Sequence, residues 1–283
     1  SSVWSSLAKH SISSSTRHLN SCEAAIVSQP TIWAVVPAAG IGTRFAADRP
    51  KQYLPLAGQL IAERSLNTLA SSGLFEAIIV AVNPVDNHFN LLPSAALPLV
   101  ERVDGGASRA ASVLNGLKAL SNRAQKDDWV MVHDIARPLV TVASLQRLRD
   151  AVSDTDVAAI LAAPIYDTIK QVAVADLDSQ AKKTDSQAKK TDGSVKKADG
   201  LPIIKATLDR RQLWAAQTPQ MIRYGLLCDA LNQALVSGDE VTDEASAVER
   251  LGADVAVVEN TQQNIKITTA DDLQMATFFL SLH

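Results

Sequence analysis

The sequence predicts an α/β fold in which a Rossmann-like, mostly parallel sheet is flanked by helices. The prediction rests on two observations. Short apolar runs are almost continuous, which is typical of strands buried on both faces, and the segments between them carry apolar residues at helical spacing. Alternating strands and helices favour a parallel, doubly wound sheet, whose ligands bind at the carboxyl ends of the strands. We therefore expect the functional residues in loops that follow strands.

The predicted elements follow this apolar pattern along the chain. Val113, Leu117 and Leu120, for example, lie on one apolar stripe of a helix that packs on the sheet. The predicted strands are 32–36, 77–82, 129–132 and 158–163, and the predicted helices are 61–70, 108–120 and 142–151.

The composition suits one domain over residues 31–283. The 283-residue chain is 47% hydrophobic, so it can bury a sizeable core, and its formal net charge of -3 gives no basic surface for nucleic acid. No apolar run approaches the length of a membrane span. Cys22 and Cys228 offer neither a disulfide framework nor zinc spacing, which indicates ordinary thiols in a reducing compartment. We therefore expect neither a nucleic acid nor a membrane partner.

The first 30 residues differ from the rest of the chain. They are rich in serine, and Lys9, Arg17 and Glu23 are their only acidic or strongly basic side chains. We expect a disordered leader or a tag remnant on a cytoplasmic protein of bacterial type. A transit peptide is also rich in serine and poor in acidic residues, so a plastid protein is the alternative.

A second unusual segment, 176–200, contains a tandem repeat. Asp178-Ser-Gln-Ala-Lys-Lys-Thr is followed at once by Asp185-Ser-Gln-Ala-Lys-Lys-Thr. Because the repeat offers almost no apolar side chains to bury, we expect a solvated, low-complexity loop. The loop lies within a longer excursion, about 164–210, that is bounded by apolar segments and predicts a protruding arm.

A loop of small residues follows the first predicted strand. Residues 37–44 read Pro-Ala-Ala-Gly-Ile-Gly-Thr-Arg, and Pro50-Lys51-Gln-Tyr-Leu follows shortly after. Small side chains let backbone N–H groups approach an anion closely, and the cations Arg44 and Lys51 would neutralise a polyphosphate. The loop therefore predicts a site for a nucleoside triphosphate.

Two other phosphate-binding loops fit this segment less well. The dinucleotide fingerprint G-x-G-x-x-G would need a glycine where the chain has Phe45, and the chain contains no G-x-x-x-x-G-K-[ST] run. An NAD-dependent oxidoreductase is therefore disfavoured.

Two further clusters lie at predicted strand ends or helix starts. Asp134 and Arg137 follow the strand at 129–132, so we expect them at the same rim as the first loop, and a structural ion pair is the alternative. His133 beside them fits a packed strand-end histidine. The glycine pair at 105–106 precedes a helix start and invites a base or phosphate to approach the backbone. A plain loop capped by Ser108 explains the glycines equally well.

Two clusters near the end of the chain carry polar residues as well. The segment from Thr242 to Ser246 favours a helix start, with acidic residues in its first turn. Residues 264–268, Asn-Ile-Lys-Ile-Thr, predict a short apolar strand that contains Lys266, and a lysine there suggests an anionic partner. Asp271 and Asp272 open the predicted last helix.

In this order, the clusters resemble the 2-C-methyl-D-erythritol 4-phosphate cytidylyltransferase family of the non-mevalonate isoprenoid pathway. The resemblance runs from about Ile32 to Leu280 and omits only the leader and the repeated loop. Its most specific blocks are Pro37-Ala-Ala-Gly-Ile-Gly-Thr-Arg44, Pro50-Lys51-Gln-Tyr-Leu, Val132-His-Asp-Ile-Ala-Arg-Pro, Leu213-Trp-Ala-Ala-Gln-Thr-Pro-Gln, Thr242-Asp-Glu-Ala-Ser and Asn264-Ile-Lys.

The resemblance implies a role for each matching residue. In that family, an oxygen of methylerythritol phosphate attacks the α-phosphorus of CTP in line, and pyrophosphate leaves. Arg44 and Lys51 would stabilise the charge that develops on the phosphates, while Lys266, and Arg210 from the neighbouring subunit's arm, would position the attacking phosphate. The implied CTP-binding residues are Ala38, Ala39, Gly40, Gly42, Arg44, Lys51, Gly106, Ala107 and Ser112. The implied residues for methylerythritol phosphate are Asp134, Arg137, Thr168, Arg210, Thr218, Thr242 and Lys266.

The resemblance also implies a cofactor and a partner subunit. A divalent ion, usually Mg²⁺, would bridge the triphosphate oxygens without dedicated protein ligands. A homodimer would form through the arm at 164–210. The closest alternative is a cytidylyltransferase that acts on ribitol 5-phosphate, and a nucleotide-binding module without catalysis is a second alternative.

Overall fold

The computed structural model describes residues 30–40, 49–153, 156–173, 202–238 and 241–282. The strands are β1 (Ile32–Ala38), β2 (Pro55–Leu56), β3 (Gln59–Leu60), β4 (Ile78–Val82), β5 (Val100–Asp104), β6 (Trp129–Val132), β7 (Ala158–Pro164), β8 (Lys170–Ala173), β9 (Ile203–Thr207), β10 (Trp214–Arg223) and β11 (Ala256–Glu259). The α-helices are α1 (Ile61–Ser71), α2 (Arg109–Ala119), α3 (Val142–Ala151), α4 (Tyr224–Ser237), α5 (Glu244–Glu249) and α6 (Ala270–Ser281).

A central sheet organises the described part of the chain. Its strand order is β11-β7-β10-β6-β1-β4-β5. Strand β10 is antiparallel to both of its neighbours, and the other neighbouring pairs are parallel. The predicted mostly parallel sheet with flanking helices is therefore confirmed.

The core lies on both faces of this sheet. Alternate residues of β1 point to opposite faces, so Val36 packs in one apolar cluster and Val35 in the other. Helices α1 and α3 cover the first face, and α2 and α4 cover the second. Burying one Leu or Val side chain contributes roughly 1.5–3 kcal/mol. This two-sided burial explains why the strand sequences are continuously apolar.

The predicted elements agree with the structure to within a few residues, and one prediction is wrong. The segment 264–268 is not a strand, because it crosses the ends of strands instead of pairing along one. Asn264 donates from Nδ2 to the carbonyl oxygen of Thr218 at 2.9 Å, and the Ile267 amide donates to the carbonyl oxygen of Ala136 at 2.9 Å. These contacts fix Lys266 beside the loop that follows β6.

The helix start predicted between Thr242 and Ser246 is confirmed, and α5 begins at Glu244. Asp243 is the residue that caps α5, since its side chain accepts from the Ser246 amide at 2.9 Å while Ser246 Oγ accepts from the Asp243 amide at 3.3 Å. This capping box leaves Thr242 outside the helix.

Strands β8 and β9 form a separate two-stranded antiparallel sheet within the predicted arm. Every residue of β9 is exposed. The predicted insertion at 176–200 and the predicted leader, apart from Pro30, lie outside the described residues. Among the helices of the described segments, none combines the length and the apolar character that a membrane span requires.

Candidate active site

The loops after β1, β5 and β6 meet at the carboxyl edge of the sheet and enclose a cavity of about 260 Å³. The sequence-predicted triphosphate loop forms one wall and the glycine pair forms another. The predicted nucleotide residues that line this cavity are Ala38, Ala39, Gly40, Lys51, Gly106, Ala107 and Ser112. Gly42 and Arg44 lie outside the described residues.

Close packing of the glycine pair against the first loop and against α2 explains the small residues. A Cβ atom at Gly105 would lie 2.4 Å from the Ala39 Cβ, and one at Gly106 would lie 2.5 Å from the Ala111 Cβ. Both distances are too short for real side chains, so only glycine fits at each position. The backbone itself therefore forms much of the cavity wall.

Ser112 shapes this wall from inside α2. Its Oγ accepts from the Gly106 amide at 3.0 Å and donates to the Ser108 carbonyl oxygen at 2.9 Å. Ser108 caps the same helix by accepting from the Ala111 amide at 3.1 Å, which confirms the capping interpretation of the motif. The start of α2 therefore both caps the helix and forms part of the cavity wall.

Gln52 is a site residue that the sequence did not identify. This buried side chain donates from Nε2 to the carbonyl oxygens of Ala38 and Gly40 at 3.1 and 3.2 Å. It therefore holds the backbone on which the triphosphate loop begins. Gln52 directly follows Lys51 in the Pro-Lys-Gln block, and this position is the sequence feature that could have indicated its role. Lys51 donates from Nζ to the Ile267 carbonyl oxygen at 2.8 Å and so connects this loop to the segment that carries Lys266.

A second cavity of about 170 Å³ adjoins the first. The two cavities share the charged residues Arg109, Asp134 and Lys266. The other residues that line the second cavity are Arg137, Ala216, Gln217, Thr218, Gln220, Thr242 and Asp243.

Asp134 is the electrostatic centre of the shared wall. Its Oδ1 accepts from Arg109 Nε at 2.9 Å, and its Oδ2 lies 2.8 Å from Lys266 Nζ. Burial alone would raise the pKa of the Asp134 carboxyl, but Arg109 and Lys266 beside it hold that pKa well below its usual range. The carboxylate is therefore ionised throughout the physiological range.

His133 and Thr218 hold the backbone of Asp134 in place through a chain of hydrogen bonds. Burial lowers the pKa of His133 to about 4, so the ring is neutral near pH 7. Nε2 lies 3.2 Å from the Arg137 carbonyl oxygen, which only accepts, so Nε2 carries the proton and Nδ1 accepts from Thr218 Oγ1 at 3.1 Å. Thr218 Oγ1 also accepts from the Asp134 amide at 3.0 Å. The predicted packed histidine is confirmed.

Arg137 carries a buried donor without a partner among the described residues. Its Nη1 and Nη2 donate to the carbonyl oxygens of Asn264 and Ala216 at 2.7 and 3.3 Å, but its Nε has no hydrogen bond and lies 3.9 Å from Asp134 Oδ2. An unsatisfied buried donor is costly and is commonly satisfied by a ligand or a water. Arg137 lines the second cavity, but its Nε is buried beside Asp134, so the guanidinium contributes positive charge there and not an open donor.

Arg109 and Glu244 are further residues that the sequence did not single out. The Arg109 guanidinium binds both carboxylate oxygens of Glu244 in addition to Asp134. The two partners are 135 residues apart in the chain. A single sequence carries no sign of such a distant pairing.

Two predicted residues lie away from both cavities. Thr168 and Arg210 are exposed on the arm, where Arg210 donates from Nη1 to the Tyr166 carbonyl oxygen. Neither residue is among those that line the two cavities.

Known proteins resemble the chain over most of its length. Residues 32–189 and 177–282 match the model of the IspD family, described as 2-C-methyl-D-erythritol 4-phosphate cytidylyltransferase. A relative of that name from Pseudomonas aeruginosa is 42% identical over 245 residues, which is 86% of this chain and 94% of the relative. One from Vibrio vulnificus is 41% identical over 254 residues, 90% of this chain and 96% of the relative.

Solved structures agree with this match. A crystal structure of the Francisella tularensis protein of the same description has a TM-score of 0.66 and 36% sequence identity, and the alignment covers 88% of this chain and 99% of that one. A 4-diphosphocytidyl-2C-methyl-D-erythritol synthase structure has a TM-score of 0.68 and 29% identity, covering 89% and 100%.

Proposed function

Because the chain belongs to the 2-C-methyl-D-erythritol 4-phosphate cytidylyltransferase family, we propose that it transfers CMP from CTP to 2-C-methyl-D-erythritol 4-phosphate. The products are 4-diphosphocytidyl-2-C-methyl-D-erythritol and pyrophosphate. The observation that carries the proposal is the pair of adjoining cavities with a shared charged wall. One cavity suits a nucleotide and the other suits a small polar acceptor.

The proposed step is an in-line displacement at phosphorus. A phosphate oxygen of the acceptor forms a bond to the α-phosphorus of CTP, and the bond from that phosphorus to the bridging oxygen of the leaving pyrophosphate breaks. Such transfers depend on positioning and on neutralising charge more than on a protein nucleophile. Lys51 in the first cavity and Lys266 between the two cavities supply positive charge for this purpose.

We assign the first cavity to CTP. Backbone groups of the loops after β1 and β5 would approach the base and the phosphates closely, since no bulky side chains intervene. Lys51, together with Arg44, would stabilise charge as it develops on the phosphates. Gln52 supports this role by fixing the backbone at Ala38 and Gly40, where the loop begins.

We assign the second cavity to the acceptor. The ionised Asp134 would accept hydrogen bonds from polyol hydroxyls, and the Arg137 guanidinium would contribute positive charge beside it. Lys266, whose side chain is 42% exposed, reaches the junction of the cavities and would position the attacking phosphate. Thr218 and Thr242 line the same space.

A divalent ion such as Mg²⁺ would be held by the triphosphate. The described residues contain no group of three or more His, Cys, Asp or Glu side chains that could hold a metal. Asp134 is already bound by Arg109 and Lys266. Magnesium commonly binds nucleotide phosphates and keeps several waters, so the site fits an ion that arrives with CTP and neutralises phosphate charge.

We further propose a homodimer whose arms complete the sites. Ile204 and Trp214 at the arm are 58% and 40% exposed, which leaves apolar surface for a partner. Thr168 and Arg210 would then contact the acceptor bound by the partner subunit. We place the reaction in the cytoplasm of a bacterial-type cell, with a plastid as the alternative if residues 1–30 direct import.

Release of pyrophosphate tests the proposed reaction. The protein with CTP and Mg²⁺ should release pyrophosphate on addition of methylerythritol phosphate and much less on addition of ribitol 5-phosphate. Turnover with ribitol 5-phosphate alone would reassign the acceptor, and CTP binding without turnover of either alcohol would favour a non-catalytic module.

A further inference from the structure

The Arg109 guanidinium joins two carboxylates that come from distant parts of the chain. Its Nη1 and Nη2 donate to Oε1 and Oε2 of Glu244 at 2.5 and 2.9 Å, and its Nε donates to Oδ1 of Asp134 at 2.9 Å. A bidentate pair of arginine and carboxylate fixes the plane of the guanidinium. With that plane fixed by Glu244, the remaining Nε edge stays directed at Asp134.

Glu244 lies behind the site and does not reach a substrate. It is 1% exposed and is not among the residues that line the two cavities. A buried carboxylate without a partner is strongly destabilising, so Glu244 and Arg109 are held together. Gln220 fixes the start of α5 on β10, because its Oε1 accepts from the Ala245 amide at 2.8 Å and its Nε2 donates to Asp243 Oδ2 at 2.9 Å.

The charge balance of the shared wall depends on Glu244. Three cations, Arg109, Arg137 and Lys266, face Asp134. Glu244 offsets the charge of Arg109, so that this guanidinium is already paired when phosphates enter. Without Glu244, Arg109 would be free to turn from Asp134 towards an incoming phosphate, which leaves the Asp134 carboxylate less firmly oriented.

We propose that Glu244 is a positioning residue for the acceptor substrate, acting through Arg109 on Asp134. The inference rests on the function proposed above. In this arrangement a partly buried ion-pair chain, Glu244–Arg109–Asp134, presents one carboxylate to the polyol hydroxyls.

The test compares the effect of a substitution at Glu244 on the KM for methylerythritol phosphate with its effect on the KM for CTP. Glu244→Gln keeps the size of the side chain and removes its charge. We expect the KM for methylerythritol phosphate to rise roughly 10- to 100-fold, the range for one charge-assisted hydrogen bond, with the KM for CTP within about twofold. Glu244→Asp keeps the carboxylate and should recover part of the loss. If Glu244→Gln does not fold, Glu244→Asp is compared with the parent protein. We then expect a smaller rise in the KM for methylerythritol phosphate and an unchanged KM for CTP.

A matched control separates positioning from general stability. Glu63 is also a buried glutamate, and its Oε1 accepts from the amide and the Oγ of Ser94 at 3.1 and 2.9 Å. It is not among the residues that line either cavity. Glu63→Gln should lower the melting temperature and leave both KM values unchanged.

A double-mutant cycle tests the route through Asp134. In an Asp134→Asn background, Glu244→Gln should change the acceptor KM much less than it does in the parent. Equal effects in both backgrounds, equal changes in the KM for CTP and for the acceptor, or no change at all would overturn the inference. Absence of turnover in the parent protein would instead refute the proposed function.

Discussion

Lys51 shows how one side chain can serve structure and chemistry at once. Its ammonium group reaches the Ile267 carbonyl oxygen and thereby joins the loop of the first cavity to the segment of Lys266. Sequence motifs predicted its role in phosphate binding. They did not predict this connection, because residues 216 positions apart approach only after folding.

The Lys51→Ala variant should therefore lose activity severely. We expect a fall in kcat of about 10²–10³, by analogy with the removal of one donor that stabilises a transition-state oxyanion. Steady-state pyrophosphate release measures the change. Lys118→Ala on the exposed end of α2 is the matched control and should leave kcat unchanged. Comparable rates for Lys51→Ala and the parent would contradict the role of Lys51.

Burial of His133 should make the stability of the fold depend on pH. Its pKa is about 4 in the folded protein and about 6.5 when unfolded, so the unfolded chain binds more protons as the pH falls. Stability should therefore decrease from pH 7 to pH 5 by about 2 kcal/mol from this residue. Asp134 adds to the loss only at lower pH. Its pKa is lower in the folded protein than in the unfolded chain, so its contribution to stability is complete above the ordinary aspartate pKa and is lost as the pH falls below it.

Chemical denaturation at several pH values measures this effect. The His133→Gln variant should show a flatter pH dependence between pH 7 and pH 5, whatever its absolute stability. His88, which is exposed, provides the control, and His88→Gln should keep the slope of the parent. An unchanged slope in His133→Gln would mean that another group titrates.

At the scale of elements, local sequence patterns predicted the strands and helices of the central sheet. They did not predict that the segment 264–268 runs across the ends of strands. The strands at 129–132 and the helix at 142–151 were predicted with the bounds that the structure shows, because burial on both faces and helical periodicity leave clear sequence patterns. The segment 264–268 has the apolar pattern of a strand. It is held across strand ends by Asn264 and Ile267, and such tertiary contacts override a short local pattern.

Helix α2 packs on β1 through Gly116, and this contact predicts a stability effect. A Cβ atom at Gly116 would lie 2.6 Å from Val35 Cγ1. Gly116→Ala gains helix propensity of about 1 kcal/mol but overpacks the core, which costs roughly 1–3 kcal/mol, so we expect a net loss or near balance. Adding Val35→Ala should make Gly116→Ala stabilising relative to Val35→Ala alone. Thermal unfolding of the four proteins measures the coupling, and strictly additive changes would refute the proposed contact.

At the scale of the whole molecule, the exposed arm raises the question of where its polar residues act. Arg210 and Thr168 match the family pattern, yet they are not among the residues that line the two cavities. Sequence resemblance placed these residues in the acceptor site. The single chain does not bring them there, and in the dimer that we propose a second copy of the chain would.

Mixing two inactive variants tests this arrangement. In a dimer of Lys51→Ala with Arg210→Ala, one of the two sites would have Lys51 from one subunit and Arg210 from the other. Random exchange of subunits should then restore about a quarter of the parent activity, since half of the dimers are hybrid and one site in each is intact. Recovery is measured after joint refolding. If Arg210 acts within its own subunit, the mixture will stay inactive.

The most direct measurement of the central claim is a crystal structure of the parent protein with methylerythritol phosphate and a CTP analogue in which a CH₂ group replaces the oxygen between the α- and β-phosphorus, so that transfer is blocked. We predict the cytidine and phosphates against the loops at 38–40 and 105–107, the acceptor beside Asp134 and Arg137, and the acceptor phosphate near Lys266. A nucleotide bound away from these loops, or an acceptor that does not contact Asp134, would contradict the account.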